Sequence, residues 1–497
     1  MKVMLIRYHD LDHINARLAQ SLNKRQGVLP PLGIAYVASA LEKAGHSVSI
    51  IDAIALALSK DQVMDRIKEF NPKVVGVTAM TPTVRGALEA SRLVKKVGDI
   101  ITVMGGVHMS ILAKETLTFD SVDYGIVGEA EESMVEFCNA IEKNESYEQI
   151  EGLCYEKDGE IHVGNPRIVS DVNTLPMPSY HLLPMEKYSS IIGLHPTSTM
   201  MGSRGCPYKC GFCFKTPSDK QYRVRDVGKI VDEIEYLIKN YELKEIMFYD
   251  DIMPKNYARS LSNEIIKRNV KIKWQTPQRV NLVDKELLEL MAKAGCHILR
   301  FGVEQGDPEM MQFVEKKTNL PLVKEAFEGA KETGIDTFAY FIIGYIHETE
   351  ETMQKTIDLA IDLDPRYVMF TRAVPLPETP LMHQSVKEGF VSFDYWNRYT
   401  LGEDMDPIQP LVPDADKWVK KAYRSFYLRL SKIYDQLFRI RSFSDLAKNI
   451  NGFMGIIGFE MRDDAFTVLK ESPKSNGNSE FLKNSVYDMS ATIPRDH

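Results

Sequence analysis

Short β-branched runs alternate with amphipathic helical stretches along most of this chain, a rhythm that leaves few folds open. Over residues 1–145, runs at 3–6, 47–51, 74–77, 101–104 and 124–127 read as strands, with helical periodicity at 32–44, 61–70, 84–97 and 130–141. Such repetition predicts a parallel sheet covered by helices, with ligands in the crevice at the strand carboxyl ends. Residues 196–410 repeat the pattern, with strands at 197–201, 246–249, 272–275, 298–302, 337–343 and 368–373. About six βα units predict a partial (β/α)6 barrel of the TIM type, with its active face at the strand carboxyl ends.

The connection at 146–195 contains a β-hairpin, with strands at 153–156 and 160–163 around Asp158-Gly159, and a stiff Leu175-Pro176-Met177-Pro178 linker. Residues 411–470 read as helical, because Trp418, Ala422, Phe426, Leu430, Ile433, Leu437 and Ile440 recur at helical spacing. Residues 471–497 read as a mobile tail, since 472–479 are rich in Pro, Ser, Asn and Gly. The expected fold class is thus α/β: a Rossmann-like domain, a partial barrel and a helical C-terminal region.

Bulk properties narrow the function. The formal net charge of −8 argues against a broad nucleic-acid-binding surface. No uninterrupted apolar run approaches the length of a membrane-spanning helix, and the N-terminus becomes charged too soon for a secretory signal. Six cysteines, three of them clustered, suit a reducing cytoplasm better than a disulfide framework.

The clustered thiols are Cys206, Cys210 and Cys213, spaced C-x3-C-x2-C, with Gly205 and Gly211 permitting tight curvature. Structural zinc and electron-transfer clusters normally take four protein ligands. Cys138, Cys154 and Cys296 stand isolated in apolar segments, and none supplies a second half for a four-cysteine zinc site. A three-thiolate cluster with one open iron fits the spacing better than a zinc knuckle or buried thiols.

In the first domain, Thr78-Ala79-Met80-Thr81-Pro82-Thr83, Gly105-Gly106-Val107-His108 and Gly128-Glu129-Ala130-Glu131 each follow a strand. Glycines there let backbone approach a ligand closely. No Walker lysine motif and no G-x-G-x-x-G occurs, so a nucleotide site is not indicated.

Further segments follow successive strands of the second half. They are Tyr249-Asp250-Asp251, Gly302-Val303-Glu304-Gln305-Gly306 with Lys316, Phe341-Ile342-Ile343-Gly344 with Glu348-Thr349, and Pro375-Leu376-Pro377-Glu378-Thr379-Pro380-Leu381. With the cysteine loop they resemble, in order and spacing, the core of radical S-adenosylmethionine (radical SAM) enzymes. Glu378 departs from a usual glycine, and Tyr345-Ile346-His347 from a usual Leu-Pro-Gly-like turn. Together with Leu29-Pro30-Pro31-Leu32-Gly33, the turns of the first domain resemble the cobalamin-binding domain of the cobalamin-dependent radical SAM family. The resemblance spans roughly residues 1–385.

That resemblance implies a [4Fe–4S] cluster on Cys206, Cys210 and Cys213, with S-adenosylmethionine on the open iron. It places Glu304 near the S-adenosylmethionine ribose or amino group, Arg279 near its carboxylate or the cluster, and Phe212 against its adenine. Asp250 and Gly344 are further candidates for cofactor contact. Thr78, Gly105, Gly106, His108, Gly128 and Glu129 are candidates for holding cobalamin. The D-x-H-x-x-G pattern that supplies a cobalt-binding histidine elsewhere is absent; His108 could replace it or simply make a loop hydrogen bond.

The implied activity is methylation of an unactivated carbon of a small, apolar biosynthetic intermediate, through a 5′-deoxyadenosyl radical and methylcobalamin. The alternative keeps the cofactors but cyclises or rearranges a tetrapyrrole or terpenoid without methyl transfer. A tRNA methylthiotransferase would need a second cysteine trio before residue 150, where only Cys138 stands. A cobalamin sensor without catalysis would leave the thiols and Glu304 without purpose. The expected partners are a small-molecule substrate and an electron donor such as flavodoxin or ferredoxin. The basic residues of 417–441 allow peripheral membrane contact or ordinary packing with solvated charges, and the apolar 453–459 could line a pocket or join a core.

Overall fold

The computed structural model describes residues 1–10, 27–190 and 192–438. Its first sheet is built from β1 (Lys2–Arg7), β2 (Ser47–Asp52), β3 (Val74–Thr78), β4 (Ile101–Gly105), β5 (Tyr124–Ile126), β6 (Leu153–Lys157) and β7 (Glu160–Val163). The order is β2-β1-β3-β4-β5-β6-β7, and β1 to β5 are parallel. This is the flavodoxin-like variant of the doubly wound fold, with its switch point between β1 and β3. Val3 and Leu5 enter one core while Met4 and Ile6 enter another on the opposite face, which is why the middle of β1 is a continuous apolar run.

The hairpin expected in the connection belongs to this sheet: β6 pairs antiparallel with β5, and β7 with β6. A helix at Met109–Thr116 was not foreseen; at 8 residues it is too short to display a period.

The second sheet comprises β8 (Thr197–Met200), β11 (Glu245–Phe248), β12 (Lys273–Gln278), β13 (Cys296–Glu304), β14 (Asp336–Ile343) and β15 (Tyr367–Arg372). They lie side by side in chain order, all parallel, as the six-stranded partial barrel predicted. Between β8 and β11, β9 (Ser203–Arg204) and β10 (Arg223–Val224) form an antiparallel ribbon whose connection carries the three cysteines.

The C-terminal apolar stripe forms two helices, Ala415–Tyr427 and Leu430–Phe438, rather than one. At the break Arg429 Nε donates to the Phe426 carbonyl (3.0 Å), and Arg429 Nη1 reaches across to the Ile361 carbonyl (3.1 Å). The first helix covers the open edge of the barrel. Tyr423 Oη accepts from the Phe370 amide (3.2 Å), and Tyr427 Oη accepts from the Val368 amide (3.0 Å) and donates to its carbonyl (3.1 Å). An exposed edge strand is a template for unwanted pairing, and these phenols block it. Val419, Ala422, Tyr423 and Phe426 are buried, so this helix spends its apolar face on its own domain. Ile440, Arg439, Arg441, the apolar 453–459 and the expected tail lie outside the described residues. Among the described residues no helix is long and apolar enough to cross a membrane.

After the barrel the chain returns to the first domain. The guanidinium of fully buried Arg85 donates to the carbonyls of Tyr399 (3.0 and 3.1 Å) and Glu403 (3.2 Å), and lies 4.3 Å from the Tyr399 ring centroid.

Candidate functional site

The cysteine loop is held by its backbone, which leaves its thiols available. Gly205 adopts φ +83°, a left-handed conformation that glycine accommodates without strain. The Cys206 amide donates to the Asp219 carbonyl (2.9 Å), and the Asp219 carboxylate caps Thr216 through its amide (2.8 Å) and hydroxyl (2.7 Å). Gly211 is pinned from both sides, its amide to the Val314 carbonyl (3.0 Å) and its carbonyl to the Leu381 amide (2.9 Å). Lys215, which sequence reasoning passed over, donates to the carbonyls of Cys206 and Tyr208. The Cys206 and Cys210 residues are half-buried and Cys213 is exposed. Among the described residues, no three His, Cys, Asp or Glu side chains gather closely enough to hold one metal ion. A cubane cluster takes each thiolate on a separate iron, so its ligands stand further apart than those of a single zinc.

Arg279, just beyond β12, reaches this loop. Its Nη1 lies 3.6 Å from Cys210 Sγ, its guanidinium sits 3.8 Å from the Tyr208 ring centroid, and its Nη2 donates to the Lys316 carbonyl. Glu304, at the end of β13, pairs with Lys316, and both are buried. Glu304 has φ +71°, an unusual conformation for a non-glycine residue, and it follows a register irregularity between β13 and β14. Gly302 makes the pair feasible: a Cβ there would collide with the Glu304 carboxylate and the Lys316 ammonium. The Lys316 ammonium also lies 5.9 Å from the Phe212 ring centroid. Phe212, Arg279, Glu304 and the cysteines are therefore brought together.

Two candidates fall elsewhere. Asp250 is buried with Oδ1 accepting from the Gly202 (2.7 Å) and Ser203 (3.1 Å) amides, so it braces the ribbon, while Asp251 lines the cavity described next. Burial pushes the Asp250 carboxyl up to about 7, and its Oδ2 has no hydrogen-bond partner among the described residues. Gly344 (φ +78°) allows close approach of the C-terminal helix, since a Cβ there would meet Ala415 Cβ at 2.5 Å. Neither was separable from a cofactor ligand by sequence, because motif position does not reveal which way a side chain turns.

A cavity of about 370 Å³ lies between the two domains, at the strand carboxyl ends of the first sheet. Thr78, Gly105, Gly106 and Gly128 line one side, and Gly205, Thr216, Asp219, Tyr249 and Asp251 the other. A Cβ at Gly33 or Gly105 would meet no atom within 4 Å, so both glycines leave room that the fold itself does not fill. Gly106 (φ +96°) and Gly128 (φ +82°) turn the backbone tightly at the same rim. A glycine-lined cradle of this kind fits cobalamin.

His108 does not line the cavity. It is fully buried, its Nδ1 pairs with Thr81 Oγ1 (3.2 Å), and desolvation lowers its imidazole to about 3. Glu129 lines the cavity, but its carboxylate is gripped by Arg223 (2.7 and 3.0 Å), Arg204 (3.1 Å) and the Val169 amide (2.6 Å). Burial opposes ionisation of Glu129, yet the two arginines prevail and hold its carboxyl below the usual range. The glutamate thus ties the first domain to the ribbon that bears the cysteines.

Comparison with known proteins agrees with this geometry. Residues 21–138 match the B12 binding domain family and residues 200–360 the Radical SAM superfamily. The chain is 33% identical to an uncharacterised methyltransferase of Pyrococcus horikoshii, covering 83% of this chain and 91% of that protein. It is 31% identical to the anaerobic magnesium-protoporphyrin IX monomethyl ester cyclase of Rubrivivax gelatinosus, covering 81% of this chain and 74% of the cyclase. Among solved structures, the radical S-adenosylmethionine methyltransferase TsrM from Kitasatospora setae shares the fold, with TM-score 0.64, 20% identity and coverage of 78% of this chain and 76% of that one. OxsB, a cobalamin-dependent S-adenosylmethionine radical enzyme, shares it at TM-score 0.62 and 17% identity, over 80% of this chain and 56% of that one. Two cofactor domains that open onto one shared cavity, in a chain with such relatives, identify this protein as a member of the cobalamin-dependent radical SAM enzymes.

Proposed function

We propose that this enzyme transfers a methyl group to an unactivated carbon of a small molecule. The carrying observation is a cavity that joins Thr78, Gly105, Gly106 and Gly128 to the residues flanking Cys206. When bound, the cluster with S-adenosylmethionine supplies a carbon-centred oxidant, and cobalamin supplies a methyl donor. The chain's own task is placement. Cys206, Cys210 and Cys213 hold the cluster, and Arg279 sets its charge environment at Cys210. The Glu304–Lys316 pair offers a carboxylate to hydroxyl or ammonium protons and an ammonium to a carboxylate. Phe212 lies alongside that pair as a face for adenine. The glycine turns accept the corrin by backbone approach, His108 and Glu129 position the turns around it, Asp250 braces the ribbon, and Gly344 seats the C-terminal helix. The domain division follows: cobalamin on 1–145, the radical core on 196–410, and a helical cap from 411. Reducing equivalents come from a donor of the flavodoxin or ferredoxin kind.

Anaerobic turnover of the reconstituted protein tests this. Equal, substrate-dependent yields of S-adenosylhomocysteine and 5′-deoxyadenosine are expected; deoxyadenosine alone would replace methyl transfer with cyclisation or rearrangement. That second reading is kept because two cyclase relatives are 31% and 30% identical.

A further inference from the structure

Arg300 stands on the inner wall of the half-barrel. Its neighbour Phe301 packs outward on Phe327, ring centroids 5.1 Å apart, so strand alternation turns Arg300 and Gly302 inward. The guanidinium crosses β12 and donates from Nη2 to the carbonyl of Phe248 on β11. Among the described residues its Nε is buried without a hydrogen-bond partner and the guanidinium has no carboxylate partner. Glu304, on the same strand, is already neutralised by Lys316. Tyr340 of β14 completes the setting: its phenol hydrogen-bonds with the Arg300 side chain and lies within the electrostatic reach of Glu304 and the cavity-lining Tyr249. Around Tyr340, the Phe338 ring lies tilted at 4.5 Å, Met369 is its register partner on β15, and Ile342 follows on its own face.

A half-buried guanidinium whose acceptors are a neutral carbonyl and a neutral phenol is a strong donor awaiting an anion, because desolvating a cation without a counter-charge is unfavourable. We propose that Arg300 receives an anionic group, a carboxylate or phosphate, on a substrate whose apolar body lies along Tyr340, Ile342 and Met369. This rests on the barrel interior being the reaction site, and it makes the substrate an amphiphilic anion rather than a wholly apolar molecule.

Binding of octanoate, octyl phosphate and octanol to the full chain, loaded with cluster, cobalamin and S-adenosylmethionine, tests the assignment by equilibrium dialysis. At least one of the two anions should bind, and which one binds better separates carboxylate from phosphate. Losing a charge-assisted bond should weaken that anion by about tenfold or more in Arg300→Gln. Arg300→Lys should keep much of the affinity, and octanol should bind all three proteins alike. Equal anion binding by wild type and Arg300→Gln, or no anion binding by wild type, would overturn the proposal. So would a matching loss of S-adenosylmethionine binding in Arg300→Gln, which would give Arg300 to the cofactor's own carboxylate. Product analysis is independent of these readouts, so failure of methyl transfer would not mimic failure here.

Discussion

Arg204 pairs with Glu129 at 3.1 Å across the boundary between the two cofactor domains, two residues before Cys206. The same guanidinium holds Glu131, and Arg223 takes the remaining face of Glu129. The cobalamin-side turn and the ribbon that starts the cysteine loop are thereby locked to each other through buried charge. Removing one member of such a pair leaves the others uncompensated, at a cost of about 3–5 kcal/mol. Arg204→Met should therefore lower unfolding stability by about that amount and reduce cobalamin retention, measured by denaturant titration and by the absorbance of the loaded protein.

Gly105 offers a separate handle on cobalamin. Because its Cβ position is open and its φ is not left-handed, Gly105→Val should leave stability nearly unchanged while occupying the cradle. Bound cobalamin per chain should fall at least tenfold (about 1.4 kcal/mol). Cluster content, read by iron and sulfide analysis, should stay at the wild-type level; a variant that retained full cobalamin would remove this glycine from the cradle.

At Gly302 a single methyl group should act on S-adenosylmethionine instead. Gly302→Ala places a Cβ against the Glu304–Lys316 pair and must displace it. Cleavage to 5′-deoxyadenosine should drop by about 10²-fold or more, as expected when a positioning contact is misplaced by an ångström. Cobalamin content serves as the internal control.

Glu348 should shape the pH dependence of stability. Its Oε2 accepts from the Tyr345 amide (2.8 Å), and burial pushes its carboxyl up to about 7 from an ordinary 4.5. The folded state therefore holds the proton more tightly than the unfolded chain. This contribution to stability is fully present below about pH 4.5 and is lost as pH rises to about 7. Asp250 acts in the same sense, so Glu348→Gln should flatten part of the decline, seen as a smaller fall in melting temperature across that window.

The β-branched runs and the C-x3-C-x2-C spacing were enough to establish a parallel sheet, a six-unit half-barrel and a three-thiolate loop, because these depend on local periodicity and on neighbours in the chain. The family resemblance also singled out Glu304 and Lys316, 12 residues apart, which the fold brings into an ion pair beside the register irregularity at β13. Side-chain direction did not follow from spacing. Asp250 and Asp251 are adjacent, yet only the fold turns one under the ribbon and the other into the cavity. His108 and Glu129 occupy glycine-rich turns of the expected kind, but burial and two distant arginines made one a loop anchor and the other a domain tie. Sequence by itself determined which chemistry the chain carries; tertiary packing alone decided which charges cancel and which, like Arg300, were left without a counter-charge among the described residues, because those balances form between residues far apart in the chain.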